Sequence, residues 1–227
     1  MHLTTIRRFT SINCAFMLTH PLNPNQNTIR TMTSMLTTLD RPICMIGSHV
    51  ATQPTTLRIK HHTKGGFTAT DGSTSKILFN VDSRKGLAPI RVFHDADGKT
   101  ILEMRRYLTG NETYVGVPND HSLPAAVIAP RPTLLKDKVD VYVKDAGLEI
   151  RLEVRGQDVW KRNTYVYRGD DLVMQVKFVN YMTSYVPFSS NQWDVNVAEG
   201  MDLLLVSAGT FAIRFGSIIL TDSRLLP

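Results

Sequence analysis

The sequence predicts a mainly β protein: a closed antiparallel barrel wrapped around one hydrophobic helix near its C-terminal end. Three observations carry this reading. From about Leu57 to Val197 the chain is a succession of short segments with one apolar face, separated by turn signals. From Met201 it reads MDLLLVSAGTFAIRFGSIIL, ending at Leu220 and apolar on every side of a helical wheel. A helix with no polar face has to be enclosed, by protein or by lipid. A barrel closed around it buries both sets of apolar surface and removes the sheet edges. Leu204, Ala208, Phe211 and Phe215 are the positions expected to face the barrel wall.

The strands follow from local pattern. Residues 57–60 enter a turn at His61, His62, Lys64, Gly65 and Gly66, and 67–70 follow up to a turn at Asp71-Gly72. Over 76–81, Ile77, Phe79 and Val81 alternate onto one face. Residues 90–94 pair with 100–106 across Asp95-Ala96-Asp97-Gly98, a tight hairpin signal. Residues 113–117 form another strand, and 118–132, with four prolines, read as a long excursion.

Val139, Val141 and Val143 then face one way, and Asp140, Tyr142 and Lys144 the other. Leu148, Ile150, Leu152 and Val154 alternate with Glu149, Arg151, Glu153 and Arg155. Residues 165–167 and 172–179 form a hairpin about Arg168-Gly169-Asp170-Asp171. Trp193, Val195 and Val197 share a face of the last strand. The hairpin at residues 91–98 and the one at 165–171 echo each other, which suggests one closed or pseudo-symmetric sheet.

Charge excludes little. The net charge is +6, but residues 1–39 hold Arg7, Arg8 and Arg30 and no acid. The other 23 of the 26 Lys and Arg face 20 Asp and Glu, too mild an excess to argue nucleic-acid binding. Residues 1–40 read as a flexible or targeting segment, and 41–227 as the barrel domain. Leu3, Ile6 and Phe9 at helical spacing beside Arg7 and Arg8 have the composition of a mitochondrial targeting segment. A disordered tail is the plainer reading, because composition alone is a weak warrant. Cys14 and Cys44 form no disulfide framework, so a reducing compartment is expected.

The order of strand, Asp-x-x-Gly hairpin, strand and aromatic-x-Val-x-Val strand running into a terminal apolar helix resembles the LURP-one-related family of the tubby C-terminal-like superfamily. The resemblance spans residues 54–220, and its best pieces are FHDADGKTILEMRR and WDVNVAEGMDLLL. It implies a barrel of roughly twelve strands around a central C-terminal helix. Relatives include tubby proteins, which bind phosphoinositides, and phospholipid scramblases. Most LURP-one-related members have no assigned biochemical activity.

The resemblance implies no ligand residue by residue. The local candidates for a lipid headgroup are Arg105-Arg106 and Lys161-Arg162, with Arg84-Lys85 on a turn. A headgroup needs two or three converging cations, whereas neighbours on a strand point to opposite faces. Arg151 and Arg155 interleave with Glu149 and Glu153 and read as solvated surface charge. His61-His62 lacks partners at metal-ligand spacing. Asp95, Asp97 and Gly98 echo a calcium loop, but no glutamate closes the frame. No catalytic, metal or cofactor site is indicated.

Four functions follow as expectations. The first is a non-enzymatic tubby-like module, monomeric and cytoplasmic or peripheral to a membrane, binding anionic phospholipid headgroups or phosphoinositides. The second is a structural or protein-interaction domain without a lipid ligand. The third is a tail-anchored or scramblase-like membrane protein spanning with 201–220, against which Asp202 and Arg214 argue. The fourth is an enzyme without a legible site.

Overall fold

A computed structural model describes residues 36–45, 49–62, 66–84, 90–106, 112–118, 124–131, 138–145, 147–155, 163–179 and 191–215. The strands are β1 (Thr55–His61), β2 (Phe67–Asp71), β3 (Ile77–Arg84), β4 (Ile90–His94), β5 (Thr100–Arg106) and β6 (Thr113–Gly116). They continue as β7 (Ala126–Arg131), β8 (Lys138–Asp145), β9 (Leu148–Arg155), β10 (Asn163–Arg168), β11 (Asp171–Phe178) and β12 (Gln192–Val197), followed by helix α1 (Leu203–Phe215). Each strand lies antiparallel beside the next in sequence, and β12 returns to pair with β1 from Thr55↔Val197 to Lys60↔Gln192. The sheet is thus a closed twelve-strand barrel, and α1 fills it.

From Leu204 to Phe211 every helix residue is buried, and Leu203 and Ala212 are half-buried. Leu204 and Ala208 are 0% exposed, and Phe211 is buried too. Phe211 stacks on Phe67 at 5.3 Å between ring centroids, and Phe93 meets Phe67 edge-on. Each fully buried Leu or Phe side chain contributes about 1.5–3 kcal/mol. Two hydroxyls inside the barrel are satisfied by the helix itself: Ser207 Oγ donates to the Leu203 carbonyl and Thr210 Oγ1 to the Val206 carbonyl, both at 2.8 Å. The side chain of Phe215 lies outside the described residues.

The helix starts at Leu203 rather than Met201, because Met201 and Asp202 are used for bridges to Ile43 and Val50. Asp202 is the N-cap. Its Oδ1 accepts from the backbone N–H of Leu204 (2.8 Å) and Leu205 (3.3 Å), and its Oδ2 accepts from Met45 N–H (2.8 Å). Residues 36–45 and 49–54 lie as a strap over this upper end of the barrel. Ile43 N–H donates to Gly200 O, Gly200 N–H to Ala51 O and Ala51 N–H to Met201 O, each at 2.8 Å. Gly200 is needed here: its φ is +87°, and a Cβ would sit 3.1 Å from Leu39 Cβ.

Three sequence expectations are corrected. Residues 118–132 are not one excursion, since 126–131 form β7. Lys144 N–H donates to Ala125 O at 2.9 Å, so odd-numbered residues of β7 bond to β8. The nitrogen of Pro130 therefore faces β6, whose pairing has already ended at Ile128. Ile77 is 43% exposed, because a bulge opposite Ala69 and Thr70 takes it off the face of Phe79 and Val81. Leu148 is 56% exposed, at the start of β9 just after the Gly147 turn.

Candidate functional site

Closing an antiparallel meander brings together residues that the sequence scatters. All odd-numbered strands run toward the lower end of the barrel, opposite the strap, and all even-numbered strands start there. Every odd-numbered strand carries a Lys or Arg in its final two residues: Lys60, Arg84, Arg105 with Arg106, Arg131, Arg155 and Lys177. The even-numbered strands add Arg91 and Lys138 in their first two. No Asp or Glu occupies any of these lower-end positions. At the upper end the corresponding positions hold Asp71, Asp145, Glu149 and Asp171 against Lys144 and Arg168. The barrel is electrically polarised, basic below and acidic above.

The lower-end cations differ in availability. Lys60 and Arg84 point outward and are exposed. Arg105 also points outward, two strands from Arg84 in the row Arg84–Ile90–Arg105, but it is held by Glu103, with Nε to Oε2 at 3.0 Å. Arg131 and Arg155 belong to an outer network built on Asp140, which is 1% exposed despite facing outward. Arg131 Nη2 donates to Asp140 Oδ1 at 2.6 Å and Arg151 Nη2 to Oδ2 at 3.1 Å. Arg155 Nε donates to Glu153 Oε2 at 2.9 Å, and its guanidinium lies over the Tyr167 ring. A carboxylate this buried requires such partners. Arg151 and Arg155 lie on the outer face, where the sequence reads solvated surface charge, and the structure adds their ion pairs with Asp140 and Glu153.

The expected pair Arg105-Arg106 is split by the pleat. Arg106 is in register with Thr113, which pairs with Ile128, a row that faces the interior. Lys161 and Arg162 lie outside the described residues.

Two further basic groups look inward at the same end, and sequence reasoning missed both. Arg91 is in register with Ser83 and with Met104, which is 3% exposed in the barrel interior. Its guanidinium carbon is 5.1 Å from the centroid of Phe211. His61 pairs with Phe67 and faces the same interior. Burial, followed by the charges of Arg91 and His62, holds the His61 imidazole below its ordinary 6.5. Burial also lowers the Arg91 pKa. His62 turns the other way, its Nε2 2.7 Å from Thr68 Oγ1.

At the upper end the turns are self-contained. Asp95 Oδ1 accepts from the N–H of Asp97 (3.0 Å) and Lys99 (2.9 Å), with Gly98 at φ +82°. The Asp95 carboxylate serves a hairpin. Among the described residues, no three His, Cys, Asp or Glu converge as a metal site. No helix among them is long and apolar enough to cross a membrane, α1 having 13 residues.

Comparison with known proteins agrees with this architecture. The family model described as LURP-one-related matches residues 55–214. The crystal structure of a protein from Arabidopsis thaliana is similar at a TM-score of 0.53 and 19% identity, covering 80% of this chain and 97% of that one. Identity that low speaks for the fold. Comparison with curated proteins gives no match. The family match runs from the first barrel strand into the central helix. The chain belongs to the LURP-one-related family.

Proposed function

We propose that the protein is a non-enzymatic, tubby-like binding module whose basic lower end docks on anionic phospholipid headgroups at a membrane surface. The observation that carries this is the charge polarity of the barrel, with only Lys and Arg among the charged strand ends below and mainly Asp and Glu above. An anionic leaflet attracts each nearby Lys or Arg by about 1 kcal/mol. Lys60 and Arg84, both exposed, supply the first contacts. Attachment of this kind is reversible and peripheral, and it suits the cytoplasmic leaflet, where anionic lipid is concentrated. The acidic strap end then faces away from the bilayer.

Vesicle flotation tests the reading. The chain should float with phosphatidylcholine vesicles containing a phosphoinositide and stay behind with phosphatidylcholine alone. Recovery should fall with added salt and in the double variant Lys60→Gln, Arg84→Gln. Equal recovery with both kinds of vesicle overturns the lipid reading and favours a protein-interaction domain.

A further inference from the structure

Arg91 poses an accounting problem inside the barrel. Its Nη1 is buried and has no hydrogen-bond partner. The Phe211 ring, 5.1 Å from the guanidinium carbon, attracts the cation but offers no oxygen or nitrogen acceptor to that N–H. A buried donor left unpaired is costly, and more so when it belongs to a charged group.

No anion among the described residues stands opposite it. Asp82 and Glu103 sit on the flanking strands, but they share a row with Val92, on the other face of the sheet. Glu103 is engaged with Arg105. Asp202 is inside the barrel but caps the far end of the helix. At 1.5 Å per residue it lies roughly 13 Å up the axis from Phe211. The groups that do face the same interior, His61 and Arg106, are basic. An inward guanidinium with an unmet donor, seated on an aromatic face and sharing its interior with a second arginine, is the arrangement that receives an anion.

We propose that the lower interior of the barrel is an oxyanion-binding site, with Arg91 Nη1 donating to a phosphate or carboxylate oxygen of a small anionic ligand. The Phe211 ring beside the guanidinium helps hold the cation at the site. Arg106 raises the local positive potential. The site lies inside the rim, so it stands or falls independently of membrane docking.

The test uses the full chain and soluble probes. Thermal unfolding is followed with inorganic phosphate and, separately, with octanoate, each against sodium chloride at matched ionic strength. At ten times its Kd a bound anion raises Tm by about 3–6 °C. A saturable rise with phosphate assigns a phosphate ligand, and one with octanoate assigns a carboxylate with an acyl tail. Arg91→Met keeps the apolar stem on Phe211 and removes the donor. It should abolish the rise while leaving the anion-free Tm at or above that of the unsubstituted chain. The Arg91 side-chain N–H resonance of the unsubstituted chain gives a second readout and should shift saturably with the same anion. A rise no larger than chloride gives with both anions, a rise retained in Arg91→Met, or an unmoved Arg91 resonance would overturn the site.

Discussion

Asp202 ties the helix to the strap that closes the upper end, and Asp202→Ala should show how much that tie is worth. The carboxylate is 0% exposed and accepts three backbone N–H groups, from Leu204, Leu205 and Met45. Loss of an N-cap costs about 1–2 kcal/mol. Loss of a hydrogen bond to a charged acceptor costs about 1.5–3 kcal/mol, and no water reaches a fully buried position to replace it. Together the substitution should destabilise the fold by about 3–5 kcal/mol, a large share of the 5–15 kcal/mol that is typical of a domain. Urea unfolding followed by the fluorescence of buried Trp193 should show the midpoint falling by roughly 1–2.5 M, given slopes of about 2–3 kcal/mol per M. Asp202→Asn, which keeps one acceptor oxygen, should fall between. A loss below about 1 kcal/mol in Asp202→Ala would refute the reasoning, because the helix start and the strap would then be held by other contacts.

Other substitutions probe the interior. A Cβ added at Gly209 meets nothing within 4 Å, and the residue lines a void of about 10 Å³ between α1 and strands β8 to β11. Gly209→Ala should therefore stabilise the chain by about 1–2 kcal/mol, from helix propensity and one buried methyl, and raise Tm in calorimetry. Ala208→Arg, at a position 0% exposed, should abolish soluble expression; normal soluble yield would contradict the enclosed helix. His61 has a folded pKa below its unfolded 6.5, so the unfolded chain binds the proton more readily. Its contribution is complete above about pH 6.5 and is lost as the pH falls through that value toward the folded pKa. His61→Gln should flatten stability between about pH 5 and 7 in urea titrations. The depressed carboxylates of Asp71 and Glu153 act in a separate window, losing their contribution only below about pH 4.5.

How far the sequence discloses this molecule depends on whether a feature is local. Alternation in Val139–Val143 and in Trp193–Val197 marked faces that the structure buries, because a period of two survives in the bare sequence. The closed topology followed from pairing those faces with an all-apolar helix. Strand β7 was hidden because Pro130 is a breaker by composition, and only the end of β6 makes it tolerable. The strap was hidden because residues 36–45 and 49–54 carry no periodicity and are tied down by bonds with Gly200, Met201 and Leu203.

Arg91 was hidden for a different reason. Val92 and Phe93 are both fully buried, so apolar neighbours do not say which face of β4 looks inward. The basic end was legible in principle. Lys60, Arg84, Arg106, Arg131, Arg155 and Lys177 recur on alternate strands, always near the strand's close. That regularity becomes spatial only when the order of the barrel is known.

The claim that this basic end is the binding end can be tested by site-resolved NMR of the full chain with phosphoinositide vesicles carrying a spin label at the headgroup. The account predicts broadening of amides at the lower rim, around Lys60, Arg84 and Arg105, while the upper turns at Gly98, Gly147 and Gly169 stay sharp. Broadening centred on the upper turns would contradict it.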